Sequence, residues 1–298
     1  MRKGIVLAGG TGSRLLPITL AGTKHLLPVY DKPMIYYALA TLMLAGIRDV
    51  LVIGAPQELP RFISLLRDGS QIGMNLTYAC QPRPEGIVQA FVIGRDFING
   101  ASCALILGDN LFFGNGLRET VQRAGRAPDG AFIFARHVPD PQRYAVVELD
   151  DDGTAIGIEE KPDRPRSDCA VTGLYFYDGL VVDIATGIRP SSRGELEITD
   201  VNLAYLARTM LHVEMLRSTI DWADAGTPEA LLDASNRIAA LQQRQGRLIG
   251  AIEEVAYRMG FIDAGQLERL VAGLGNGDYA RYLTGVLVQA VPDESSPA

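Results

Sequence analysis

Cysteine is scarce: the 298-residue chain has three, at positions 80, 103 and 169, too few and too apolar in setting for a disulfide framework. They read as core thiols of a protein kept in a reducing compartment. Positive charge is also in deficit, with 28 Lys and Arg against 35 Asp and Glu and a formal net charge of -7. A duplex-binding surface needs a clustered positive field, so nucleic-acid partners are not expected. No stretch approaches the roughly 20 apolar residues of a membrane span. The apolar run after Arg2-Lys3 covers only Ile5 to Ala8, too short for a signal peptide. A cytoplasmic location without membrane partners is therefore expected. Internal repeats of roughly 20 to 50 residues are missing as well, which removes solenoids and an appended β-helix. The remainder, 47% hydrophobic and 21% charged, is ordinary globular composition.

Through the first half, short aliphatic runs alternate with helix-length amphipathic segments, the pattern of parallel strands buried on both faces by crossover helices. The expected strands are Gly4 to Ala8, Val50 to Gly54, Leu76 to Cys80, Cys103 to Leu107 and Ala131 to Arg136. Helices are expected over Met34 to Ala45, Leu59 to Leu66, Ile87 to Phe97 and Leu117 to Ala124. From Tyr144 the period shortens to a hairpin, Tyr144 to Leu149 and Ala155 to Glu159 about the acidic turn Asp150 to Gly153, and Ala170 to Tyr177 reads as another strand. Helix returns over Glu197 to Arg208, Pro228 to Gln245 and onward to about Val288, before a frayed tail at Pro292 to Ala298. The fold class is α/β: a Rossmann-like, mixed but mostly parallel sheet flanked by helices, with a small β subregion and a C-terminal helical extension. Residues 1–227 form the α/β core, divided near 136 into two halves, and 228–298 form the extension.

The segment Leu7-Ala8-Gly9-Gly10-Thr11-Gly12-Ser13-Arg14 follows the first strand directly. Open α/β sheets bind ligands there, and glycines let backbone N–H groups approach phosphate oxygens. A tight strand-to-helix turn is the other reading. A dinucleotide fingerprint fails because Leu15 stands where the third glycine belongs, and no Gly-Lys-Ser or Gly-Lys-Thr completes a Walker loop. Basic residues follow instead: Arg14, Lys24 and Lys32. A guanidinium grips a polyphosphate bidentately and an ammonium supplies a compact charge, a combination suited to a triphosphate. Asp109 leaves the apolar strand Cys103 to Leu107, and Asp224 lies in a similar strand-exit setting far along the chain. Two such carboxylates suffice for Mg²⁺ with substrate phosphates and waters, although a lone Asp at a turn is more often a cap. His137 and His212 read as structural.

The chain at this point resembles a known family. Leu7 to Arg14, Leu26 to Tyr37, Gly108-Asp109-Asn110, Glu159 to Pro162, Ala170 to Tyr177, Arg193 to Asp200 and Trp222 to Thr227 are similar, in order and over nearly the whole chain, to the glucose-1-phosphate thymidylyltransferases. These are sugar-nucleotide pyrophosphorylases that make dTDP-glucose from dTTP and glucose 1-phosphate. The resemblance implies an Mg²⁺-dependent enzyme of deoxysugar biosynthesis, with Arg14, Lys24, Asp109, Lys161 and Asp224 as catalytic residues. It implies nucleotide binding by Leu7, Gly9, Gly10, Thr11, Gly12, Ser13, Arg14, Lys24, His25, Gln81, Gly86 and Asp109, and metal binding by Asp109 and Asp224. Asn110, Tyr144, Ala145, Glu160, Lys161, Val171 and Glu195 would bind the sugar phosphate. A homotetramer is also implied, with Phe113, Gly114, Glu254 and Arg258 at a second, regulatory nucleotide site.

This sequence departs from that pattern at His25, where glutamine is usual, and at Ala145, where glycine is usual. Ile87-Val88 replaces Leu-Ala, and Ala223 and Ala225 replace Leu and Thr. The resemblance leaves uridylyl transfer from UTP as the nearest alternative activity and a non-catalytic regulatory homologue as a remoter one. A nicotinamide oxidoreductase would need the missing glycine and a ribose-binding acid; Asp31 is near that distance but sits in Tyr-Asp-Lys-Pro rather than at a strand end.

Overall fold

In the computed structural model, which describes residues 2–127 and 129–290, the apolar runs of the first half become strands, buried on both faces except at the sheet edge, where Asn75–Cys80 is partly exposed. These are β1 (Lys3–Ala8), β2 (Asp49–Gly54), β3 (Asn75–Cys80) and β4 (Cys103–Leu107). Successive β1 side chains alternate between two cores, Val6 and Ala8 on one side of the sheet and Ile5 and Leu7 on the other. The frayed tail expected at Pro292 to Ala298 lies outside the described residues.

After these come β5 (Asn110–Gly114), β6 (Ala131–His137), β7 (Ala145–Leu149), β8 (Ala155–Glu160), β9 (Cys169–Tyr177), β10 (Leu211–Met215) and β11 (Ile220–Asp224). A nine-stranded sheet runs in the order β8-β7-β9-β4-β1-β2-β3, with β6 joining β9 and β10 joining β6. Pairing is parallel from β4 through β1 and β2 to β3, and antiparallel where β9 meets β4, β6 and β7. Because β1 has parallel neighbours on both sides, crossovers leave it in opposite directions and a crevice opens beyond its carboxyl end. The parallel part is what the composition-driven reading anticipated. The separate two-stranded ribbon β5–β11 and the edge strand β10 are additional.

Helices α1 (Met34–Leu44), α2 (Leu59–Leu66), α3 (Leu117–Arg126) and α4 (Ile198–Leu206) flank the sheet. The single helix expected over 87–97 is instead two short ones, Gln89–Ile93 and Arg95–Ile98, that meet at Gly94. A Cβ at Gly94 would lie 2.8 Å from the Ala90 carbonyl oxygen and 3.3 Å from Ile5 and Leu51 side chains, so only glycine lets the junction pack this close to the sheet.

The C-terminal extension comprises α5 (Pro228–Gln245), α6 (Ile252–Arg258), α7 (Ala264–Ala272) and α8 (Asp278–Ala290). Ala234, Ile238 and Leu241 of α5 pack on Val29, Tyr37, Leu111 and Ala223, so the extension shares a core with the segments that carry the crevice. Thr227 caps α5, its hydroxyl accepting the Ala230 N–H at 3.2 Å, with Pro228 in the first turn. Thr227→Ala is expected to cost about 1 kcal/mol. For a chain of this size that is a fall of about 2 °C in Tm, measurable by calorimetry.

Candidate active site

Two adjoining cavities occupy the crevice, and Asp109 lines both. The smaller, about 220 Å³, is walled by Leu7, Gly9, Gly10, Lys24, His25, Gln81, Gly86 and Glu195. The larger, about 430 Å³, is walled by Arg14, Asn110, Arg143, Tyr144, Ala145, Glu160, Lys161, Val171, Trp222 and Asp224.

The glycine segment folds as its composition requires. Gly10 and Gly12 have φ of 94° and 60°, values that favour residues without a Cβ. A side chain at Gly9 would collide with the Gln81 amide, so the backbone there lies against the floor of the smaller cavity. Gln81 is itself braced, donating to Gln89 Oε1 at 2.7 Å, and Gln89 donates to Glu85. Thr11, Gly12 and Ser13 stand outside both walls, and the chain then turns so that Arg14 reaches the larger cavity rather than the smaller. Leu15, wholly buried, anchors that turn.

Lys24 and Asp109 form an ion pair whose side chains are only 14% and 11% exposed. Burial pushes the Asp109 carboxyl up, but the Lys24 charge and the hydrogen bonds from Lys24 and Asn110 outweigh it, holding the group well below the usual carboxylate range. His25 is neutral: burial first, and the Lys24 charge second, lower its pKa to about 3. Its Nδ1 pairs with the Thr23 hydroxyl at 3.1 Å.

Asp224 is brought to Asp109 by the β5–β11 ribbon, in which it pairs with Asn110. The Ala225 N–H donates to the Asp109 backbone carbonyl at 3.0 Å, closing the junction. Burial and then the Asp109 charge raise the Asp224 pKa against the opposing pull of Arg14, Lys24 and Arg143. The two carboxylates thus repel in a site rich in hard oxygen donors, which a divalent cation such as Mg²⁺ would relieve, so the residues present fit that ion. Asn110 holds the junction together: its Oδ1 accepts from the Gly173 N–H at 3.0 Å and Trp222 Nε1 at 2.7 Å, while its Nδ2 donates to Asp109 at 3.1 Å.

At the far wall, Lys161 takes the left-handed region with φ of 42°, an uncommon conformation for a residue with a Cβ and one that gathers at functional sites. Its N–H donates to the Tyr144 carbonyl at 3.1 Å, tying the two wall residues together. Glu160 lies 3.6 Å from Lys161 Nζ and 3.4 Å from Arg193. Val171 lines the wall from β9, and the Tyr144 ring packs edge-on against Trp222 at 5.2 Å.

Some sequence expectations need correction. Lys32, read with Arg14 and Lys24 as a basic partner of the glycine segment, is buried elsewhere: its ammonium meets Asp31 at 2.6 Å and Gln242 of α5 at 3.3 Å. Of the three cysteines read as core, Cys103 and Cys169 are buried, but Cys80 is partly exposed. Arg143 was not singled out, although a cation directly before Tyr144 was a usable signal; it lines the larger cavity. Phe113, Gly114, Glu254 and Arg258 come together in a third cavity of about 360 Å³, beneath the C-terminal helices and away from Asp109.

The sequence model of the nucleotidyl transferase family matches residues 3–240. This chain belongs to that family. Among its relatives is the glucose-1-phosphate thymidylyltransferase of Xanthomonas campestris pv. campestris (strain B100), 55% identical over 283 residues that cover 95% of this chain and 96% of the relative. The enzyme of the same name from Mycolicibacterium smegmatis is 51% identical over 285 residues, covering 96% and 99%. A Bacillus anthracis crystal structure described as a glucose-1-phosphate thymidylyltransferase bound to sucrose superposes with a TM-score of 0.74 at 40% identity, covering 80% of this chain and 95% of that one. A UDP-glucose pyrophosphorylase complexed with UDP-glucose shares the family fold, with a TM-score of 0.71 at 24% identity and coverage of 82% and 100%. Among the described residues, no helix is long and apolar enough to cross a membrane.

Proposed function

We propose that this chain transfers a deoxythymidylyl group from dTTP to α-D-glucose 1-phosphate, giving dTDP-glucose and pyrophosphate in the first step of deoxysugar biosynthesis. The observation that carries the reading is Asp109 standing as the common wall of two cavities, with glycine backbone and Gln81 on one side and Glu160, Lys161 and Tyr144 on the other. A site that joins two anionic substrates has this form.

A phosphate oxygen of the sugar phosphate attacks the α-phosphorus of dTTP in line. The bond from that phosphorus to the bridging oxygen breaks, and pyrophosphate leaves with the electron pair. The attacking oxygen is already anionic near neutral pH, so no general base is needed; His25, neutral and enclosed, supplies none. Catalysis is positioning together with stabilisation of charge on the equatorial and leaving oxygens. In this reading Lys24 and Arg14 hold the triphosphate and Lys161 aligns the attacking phosphate. Glu160, Asn110, Tyr144, Ala145 and Val171 shape the sugar side, with Glu195 at its border. Leu7, Gly9, Gly10, Gln81 and Gly86 receive the nucleotide. Asp109 and Asp224 would hold Mg²⁺, which supplies charge neutralisation for the phosphates when bound.

Gln81 offers an amide that donates and accepts at once, which suits a pyrimidine edge. Thymine and uracil differ there by one methyl, so discrimination against UTP is expected to stay within roughly 10- to 200-fold. The deciding experiment incubates the chain with Mg²⁺, a panel of nucleoside triphosphates and several hexose 1-phosphates while following pyrophosphate. Release confined to dTTP, or to dTTP and UTP, with glucose 1-phosphate supports the proposal. No release with any pair removes it.

Gly226 offers a sharper probe of the seam. A Cβ there would run into the Arg14 guanidinium and come within 3.0 Å of Asp224 Oδ1. Gly226→Ala is expected to lower kcat/KM by about 10²-fold, since a displacement near 1 Å suffices for that loss. Steady-state kinetics with a thermal melt, to confirm folding, checks it.

The third cavity, with Phe113, Gly114, Glu254 and Arg258, is assigned to product feedback in a homotetramer acting in the cytoplasm. Mass in solution and inhibition by the pathway product test that part.

A further inference from the structure

Beyond both cavities, β6 ends at His137 and β9 begins at Cys169, and these two residues face each other as a cross-strand pair. The Asp168 carboxylate completes the group. His137 Nδ1 lies 2.7 Å from Asp168 Oδ1, and Cys169 Sγ lies 3.6 Å from His137 Nδ1 and 3.7 Å from Asp168 Oδ1. One ligand atom from each residue falls within 4.8 Å of the other two. None of the three lines the cavities around Asp109.

We propose that His137, Asp168 and Cys169 form a binding site for a borderline transition-metal cation, Zn²⁺ being the type case, distinct from the carboxylate pair that would hold Mg²⁺. Imidazole, thiolate and carboxylate together favour such an ion over Mg²⁺ or Ca²⁺, which take oxygen ligands. Geometry supports it. Zinc bonds of about 2.0–2.3 Å in a tetrahedron set ligand atoms about 3.4–3.6 Å apart. The two distances to sulfur already match that spacing. The third, now a hydrogen bond between imidazole and carboxylate, has to open by less than 1 Å, and both of its side chains have solvent to move into, being 66% and 63% exposed. Cys169, by contrast, is held by its strand and is only 7% exposed, so sulfur is the fixed corner of the site. Three protein ligands with an open, solvent-facing position leave room for a water.

The site also sits at a mechanical junction. Asp168 ends the connection that begins at Lys161, and Val171, two residues past Cys169, lines the larger cavity. An ion here would fix the far end of that connection without touching substrate.

Cobalt makes the test direct, because a thiolate on Co²⁺ gives a near-ultraviolet charge-transfer band. The full chain, stripped with chelator, is titrated with Co²⁺ and then Zn²⁺ in excess Mg²⁺. The expected result is a saturable thiolate band, removed by Zn²⁺ and untouched by Mg²⁺. Cys169→Ser should abolish the band, and His137→Ala, with a thermal melt to confirm folding, should weaken Co²⁺ binding by about 10-fold or more. Cys80→Ser should leave the band in place. Absence of the band in the parent chain, or its survival in Cys169→Ser, would overturn the site.

Discussion

Asp224→Asn is expected to lower kcat by about 10²–10³ fold and, in the same protein, to raise the Tm of the ligand-free chain. The activity loss follows from removing one of the two carboxylates proposed to hold the cation between donor and acceptor phosphates. The gain in stability follows from what that carboxylate costs. Burial and the neighbouring Asp109 charge raise the Asp224 pKa. An acid whose folded pKa exceeds its unfolded one destabilises the fold at every pH above the folded value, and the cost fades as pH falls through it. Asparagine carries no such charge, so the variant's advantage is largest near neutrality and shrinks on acidification. Asp109 behaves oppositely. Its pKa is held down by Lys24 and its other partners, so its charge contributes stability above the unfolded value, lost only as pH falls through the folded one. Asp109→Asn should therefore lose activity and Tm together. Calorimetry at neutral and acidic pH beside steady-state rates separates the two variants, and a lower Tm for Asp224→Asn would refute the electrostatic picture of the seam.

Arg14→Ala is expected to reduce kcat/KM by about 10²–10³ fold without unfolding the chain. Its guanidinium sits against Gly226 and Asp224 at the wall of the larger cavity, while the buried Leu15 keeps the turn in place. Removing the charge leaves transition-state phosphate oxygens without a planar, bidentate partner. Arg14→Lys should recover only part of the rate, because an ammonium cannot reproduce the fork geometry. Near-normal turnover in the alanine variant, with an unchanged melt, would take Arg14 out of the chemistry.

How much of this was legible beforehand depended on whether the signal was local. β1, β2 and β4 were readable because strands covered on both faces are largely aliphatic, β3 was readable from its apolar run although it is a partly exposed edge strand, and the ends of all four agreed to within a residue or so. α5 was readable from Thr227 and Pro228 at its start and the glycine that closes it. The β5–β11 ribbon was not, since pairing between residues near 110 and near 220 leaves no periodic trace in either segment. The nearness of Asp109 to Asp224 rests on that ribbon, so residue type and strand-exit position suggested the pair but only the resemblance joined it. Lys32 shows the opposite failure. Its place after a glycine-rich turn suggested phosphate, yet Val29 and the short Pro28–Val29 and Lys32–Pro33 ribbon redirect the backbone beneath α5. The His137–Asp168–Cys169 group was equally hidden, because His137 lies 31 and 32 positions from the other two and meets them only across a sheet.

The burial of Lys32 has a bearing on how this chain can be cut and recombined. Its ammonium is compensated from both ends of the polypeptide: by Asp31 beside it, by the Gln242 amide, and by the Tyr279 ring 5.8 Å away. Severing the chain at 227 would remove the Gln242 and Tyr279 partners of that cation and leave Asp31, so the remaining portion is expected to be less stable than the full chain. A chimera that grafts a relative's tail onto this core must bring an acceptor for that ammonium, or replace the lysine at the same time.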